Sequence, residues 1–164
     1  MKKAALLTLV VCLFICGCSN AKTVSPVTKG IKFTLNAISD ESEYNVSVLI
    51  DKGGCMDATV KSPEILNGMK ITANNFETST EYKDLKYTYN EDDFAGNNLL
   101  IAVFSILSSC EKKQLLLENG ENCVINDKYL GEKYEFTFSP SGLPIKLSIP
   151  SRNLEAVFSD VGVV

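Results

Sequence analysis

At 164 residues, 45% hydrophobic and 22% charged, the chain fits one domain with a buried core. Its 16 basic and 20 acidic residues give a net charge of -4, which argues against a nucleic-acid partner and against a polybasic hold on anionic lipid. Histidine is absent, so there is no Ser-His-Asp or Cys-His pair to activate a nucleophile and no Cys/His spacing for a metal; a non-enzymatic protein without a cofactor is expected.

The N-terminus reads Met1-Lys2-Lys3 and then AALLTLVVCLFICG, residues 4–17, without a charge. This is the basic segment and apolar run of a secretory signal peptide. The run falls short of the roughly 20 residues of a membrane-spanning helix, so removal is expected rather than retention as an anchor. Ile15-Cys16-Gly17-Cys18 resembles the bacterial lipobox: an aliphatic residue, a loosely specified one, a small one, then cysteine. The resemblance implies that diacylglycerol is attached to the Cys18 thiol, that the chain is cut before it, and that Cys16 leaves with residues 1–17. Further acylation, by palmitate for example, would make release slow, since each buried methylene adds about 0.8 kcal/mol. The remaining 147 of 164 residues would carry a net charge of -6 once Lys2 and Lys3 are lost, and would sit on the extracytoplasmic side of the cell membrane.

Residues 18–29, CSNAKTVSPVTK, are small, polar and proline-containing, and read as a lipidated tether ahead of a domain over residues 30–164. Alternating segments follow. Ile31, Phe33, Leu35 and Ala37 form one apolar set, and Tyr44, Val46, Val48 and Ile50 the next. Lys52-Gly53-Gly54 is a hairpin turn before Met56, Ala58 and Val60. Met69, Ile71 and Ala73 lead to a turn at Asn74-Asn75, and Leu85, Tyr87 and Tyr89 resume the alternation. A period of 2 predicts strands with one dry face.

Residues 97–109, NNLLIAVFSILSS, break the pattern with an uncharged apolar run behind an asparagine cap candidate. Too long for a typical strand and too short to span a bilayer, the run predicts a helix buried on most of its circumference. Glu91-Asp92-Asp93 precedes it, well placed for a helix N-terminus, with weak calcium binding as the alternative. Tyr134, Phe136 and Phe138, then Leu143, Ile145, Leu147 and Ile149, then Leu154, Ala156 and Phe158 are joined by the turns SPSGLP and PSRN into an antiparallel meander. Of the cysteines downstream of the lipobox, Cys55, Cys110 and Cys123 are expected as free, partly buried thiols, and a Cys110–Cys123 disulfide of roughly 3 kcal/mol is the alternative.

The fold class expected is α+β, a curved antiparallel sheet in the form of an unclosed β-barrel meander around an apolar helix. VKSPEILNGMKI (residues 60–71) and YEFTFSPSGLPIKLSIPSRNLEAVF (residues 134–158) resemble the lipoprotein-carrier fold of the outer-membrane lipoprotein carrier, its receptor and related mycobacterial lipoproteins. The first stretch also resembles uncharacterised lipoproteins of clostridial-type bacteria that share this layout. The resemblance implies a concave face that holds an acyl chain or another apolar molecule, with Phe33, Leu35, Tyr87, Tyr89, Leu100, Phe104, Leu107, Phe136, Phe138 and Leu147 as its lining. One departure is that those carriers place an arginine in the cavity to hold the lid, whereas the sole arginine here, Arg152, falls in a late turn. The other reading is an envelope protein with a filled barrel whose partner is a second protein. A monomer is expected in either case.

Overall fold

The computed structural model describes residues 22–39, 42–74, 77–89, 98–117 and 121–164. The lipobox with Cys18, the acidic run 91–93, Asn75 and Asn97 lie outside the described residues.

β2 (Ile31–Ser39), β3 (Ser42–Ile50) and β4 (Met56–Ser62) follow from strict alternation, every second side chain being buried along most of their length. β5 (Lys70–Ala73), β6 (Thr78–Tyr82) and β7 (Leu85–Tyr89) continue the meander in shorter steps. After α1 (Leu99–Ser109) come β8 (Leu115–Leu117), β9 (Cys123–Tyr129), β10 (Glu132–Phe138), β11 (Pro144–Ile149) and β12 (Leu154–Val163).

Among the described residues, ten strands make one antiparallel sheet in the order β7-β6-β5-β4-β3-β2-β12-β11-β10-β9. The sheet is unclosed, with β7 and β9 at its edges. The seam that unites its two meanders is β2 against β12, with Leu35 opposite Phe158 and Ala37 opposite Ala156. β12 shifts register between Ser159 and Gly162, where Asp160 takes a left-handed φ of 53°, a bulge of the kind that bends a strand and adds to the curvature of a sheet.

Asn98 caps the helix, its side-chain oxygen accepting from the Leu100 N–H at 3.0 Å and the Ile101 N–H at 3.3 Å. Leu100, Ile101, Val103, Phe104, Ile106 and Leu107 are buried and share one apolar core with the inward side chains of the sheet. An 11-residue helix this apolar needs cover on several sides, and the core supplies it.

The expected tether is corrected over residues 22–29. β1 (Lys22–Val24) pairs antiparallel with β8 in a separate ribbon, Thr23 opposite Leu116. Pro26 and Thr28 are buried, and the Val27 N–H donates to the Gly142 carbonyl at 2.8 Å. Backbone pairing and burial hold these residues, so residues 22–29 belong to the domain. Cys110 and Cys123 are free and buried, and Cys55 is free and exposed; the alternative Cys110–Cys123 disulfide is not formed. The Cys123 thiol instead donates to the Leu116 carbonyl at 3.3 Å.

Candidate functional site

The inward face of the sheet is filled. Phe33, Leu35, Phe104, Leu107, Phe136, Phe138 and Leu147 are all buried in the core. Their rings meet one another directly, with centroids 5.0 Å apart for Phe33 and Phe158, 4.3 Å for Phe136 and Phe138, and 5.5 Å for Phe136 and Phe158. Tyr87 lies on an edge strand and is 59% exposed. Tyr89 ends the same strand, and its side chain lies outside the described residues. Of the lining residues inferred from sequence whose side chains are described, Leu100 alone borders the cleft described next.

That cleft opens between the first turn of α1 and strands β3 to β5, with a volume of about 430 Å³. Val46, Val60, Ile71 and Leu100 form its buried floor. Tyr44, Leu66, Met69 and Leu99 are half-buried walls, and the polar lining among the described residues is Ser39, Ser42 and Asn98. No described lining residue carries a charge.

The segment KSPEILNGMK explains one wall. After β4 a 3-10 turn at Glu64–Leu66 reverses the chain, the Gly68 N–H returns to the Val60 carbonyl at 2.9 Å, and the Met69 N–H donates to the Leu66 carbonyl at 3.0 Å. Gly68 has a φ of 84°, a left-handed conformation open to glycine at no steric cost. The result turns Leu66 and Met69 onto the cleft. The Tyr82 hydroxyl donates to the Ile65 carbonyl and ties the same turn to β6.

A second cluster lies where α1 ends. Burial pushes the Cys110 thiol above its ordinary range, opposed by the Lys113 ammonium and by hydrogen bonds with Tyr134 and Ser109. Tyr134 is likewise pushed up, by burial first. Lys113 donates to the Tyr134 hydroxyl at 3.2 Å and is ion-paired with Asp127. Burial works to lower Lys113, but its bonds to Asp127 and Tyr134 leave it raised on balance. The Lys113 hydrogen bond, with help from the Lys128 N–H, holds the Asp127 carboxyl below its usual range. A buried thiol kept protonated is a poor nucleophile, and this cluster reads as structural.

Arg152 is paired with Glu132 and lies 6.0 Å from the Tyr129 ring, away from the residues lining the cleft. Among the described residues no group of three His, Cys, Asp or Glu side chains is placed to hold a metal, and no helix is long and apolar enough to cross a membrane.

These elements define an α+β protein built on an unclosed, curved antiparallel sheet with one short helix. Among solved structures the chain is similar to a LolA superfamily protein from Nitrosomonas europaea, at 8% identity and a TM-score of 0.41, over 86% of this chain and 89% of that one. No family model matches the chain, and no curated protein does.

Proposed function

We propose that the protein is a lipid-anchored, extracytoplasmic binding protein that takes an apolar ligand, such as one acyl chain, into the cleft beside the start of α1. The cleft carries this reading. Its volume of about 430 Å³ falls among ligand pockets, roughly 300–1,000 Å³, whose linings are mainly apolar with a few polar groups. At about 30 Å³ for a water-sized group, the space takes roughly 14 such groups, enough for one chain. The lipobox supports the address, with Cys18 as the anchor, and nothing in the site calls for catalysis.

The packed interior favours a second reading. Inward aromatics in mutual contact, with Phe136 and Phe138 fully buried, suit an envelope protein that contacts another protein through its surface. Native mass spectrometry of protein purified without detergent, followed by titration with palmitic acid, separates the two. Binding of one equivalent is expected, weakened about tenfold, or ~1.4 kcal/mol, by Met69→Trp, which fills the cleft from its wall. No bound species with either protein would leave the surface-interaction reading standing.

A further inference from the structure

We infer that the β1–β8 ribbon and the adjoining outer surface of β9 lie against the bilayer that holds the anchor. The inference rests on the anchoring half of the proposed function and is independent of the cleft.

The first observation is the length of the link. Cys18 stands four residues before Lys22, where β1 begins. At about 3.5 Å per residue, four residues reach at most ~14 Å. A free tether running to Gly30 would reach about 40 Å on the same basis. The docking of residues 22–29 therefore changes the geometry: the ribbon cannot leave the neighbourhood of the headgroups while the acyl chains are inserted. The Val27 bond to Gly142 and the antiparallel pairing with β8 make this attachment part of the domain.

The second observation is what this surface presents. Leu116 is 62% exposed and Val124 49% exposed, whereas their neighbours Leu115, Cys123 and Ile125 belong to the core, so both point outward. Thr23 stands opposite Leu116 and Thr137 opposite Val124, and none of the four is charged. The bond from the Cys123 thiol to the Leu116 carbonyl holds the ribbon beside β9. The uncharged patch is local: farther along β9 the outward Lys128 and, opposite Asn126, Glu135 of β10 bring charge, as Asp57 and Lys61 do on β4 and Glu155 on β12. A short anchor supplies a high effective concentration, so an uncharged, partly apolar surface of modest intrinsic affinity is enough to settle the domain in one orientation. The exposed Leu85 and Tyr87 sit on the opposite edge of the sheet, with no such link to bring them to the membrane.

The test uses the full lipidated chain with Cys55→Ser, reconstituted into vesicles of phosphatidylcholine and phosphatidylglycerol that carry a nitroxide lipid. An environment-sensitive fluorophore is attached in turn at Leu116→Cys, Val124→Cys and Tyr87→Cys. Quenching several-fold stronger at 116 and 124 than at 87 is expected. A Gly/Ser spacer of about 20 residues before Lys22, with a mean reach of roughly 25 Å, should bring the three sites together. Quenching at 116 and 124 that survives the spacer would also support the inference, with the surface then holding lipid by its own contacts. Equal quenching at all three sites of the unspaced protein, or stronger quenching at 87, would overturn it. So would a full chain that stays off vesicles as Cys18→Ser does, a result that removes the anchor itself. Palmitic acid uptake in the same samples reports the cleft separately.

Discussion

Cys110 ends α1 with its thiol wholly buried beside Tyr134, Lys113 and Ser109, and the consequences run to both reactivity and pH. Burial raises the folded thiol above its unfolded value of about 8.5, and raises Tyr134 above about 10. A group raised by folding stabilises fully below its unfolded value and loses that contribution as pH climbs through the folded one. Stability should therefore fall from about pH 8.5 upward, and Cys110→Ala should flatten the first part of that fall in urea midpoints read against pH. The Asp127 carboxyl, held low by Lys113, has the opposite sign: its contribution is present above about pH 4 and fades as acid titrates it in the folded state. Peptide mapping after a brief thiol-reagent exposure should find Cys55 modified and Cys110 and Cys123 spared until denaturant is added. Gly142 makes a steric argument of its own. A Cβ there would stand 2.3 Å from the Ser25 carbonyl oxygen, and its φ is 82°. Gly142→Ala should cost at least ~1–3 kcal/mol and release residues 22–29 first, as early hydrogen exchange in β1.

At the scale of elements, α1 links stability to the cleft. Asn98 satisfies two N–H groups of the first turn, and that turn carries Leu99 and Leu100 into the lining. Asn98→Ala should cost about 1 kcal/mol and weaken palmitic acid binding more than the same loss of stability introduced at the distant Ser109, because it frays the wall itself. Which elements could be read from sequence follows from side-chain chemistry. β2 to β5 and β10 to β12 alternate apolar and polar residues, and their inward faces were legible. β6, TSTEY, offers hydroxyls where an alternation should show, and β9 dissolves into Asn126, Asp127 and Lys128 after Ile125, so neither announced itself. β1 and β8 have three residues each and too little length for any period, and their pairing exists only in three dimensions. That is why residues 22–29 resembled a tether. The candidate site divides in the same way. Alternation tells which aromatics point inward but not whether they meet: Phe33 and Phe136 both lie against Phe158, and Phe136 against Phe138. Leu66 and Met69 reach the cleft only because a turn reverses the chain between two strands, which no periodicity records.

For the molecule as a whole, the pairing of β2 with β12 decides how its parts depend on one another. One meander runs from β2 to β7 and the other from β9 to β12, and each is built mainly from local hairpins. They are joined where β2 meets β12: Val163 lies opposite Ile31, and the Val164 N–H donates to the Gly30 carbonyl at 2.8 Å. Phe158 stands at this seam with its ring against Phe33 of one meander and Phe136 of the other. Removing that ring leaves a cavity between the halves as well as the loss of its own burial, so Phe158→Ala should cost about 3–5 kcal/mol. The distribution of the loss is the more telling quantity. If the seam couples both meanders into one cooperative unit, native-state hydrogen exchange in β3 and in β10 should rise by the same factor, with a single urea transition retained. Exchange that rises in one meander alone would mean that each half keeps its own core, and that the cleft, whose described lining comes from α1, β2 to β5 and the turn between β4 and β5, could persist while the β9–β12 half opens.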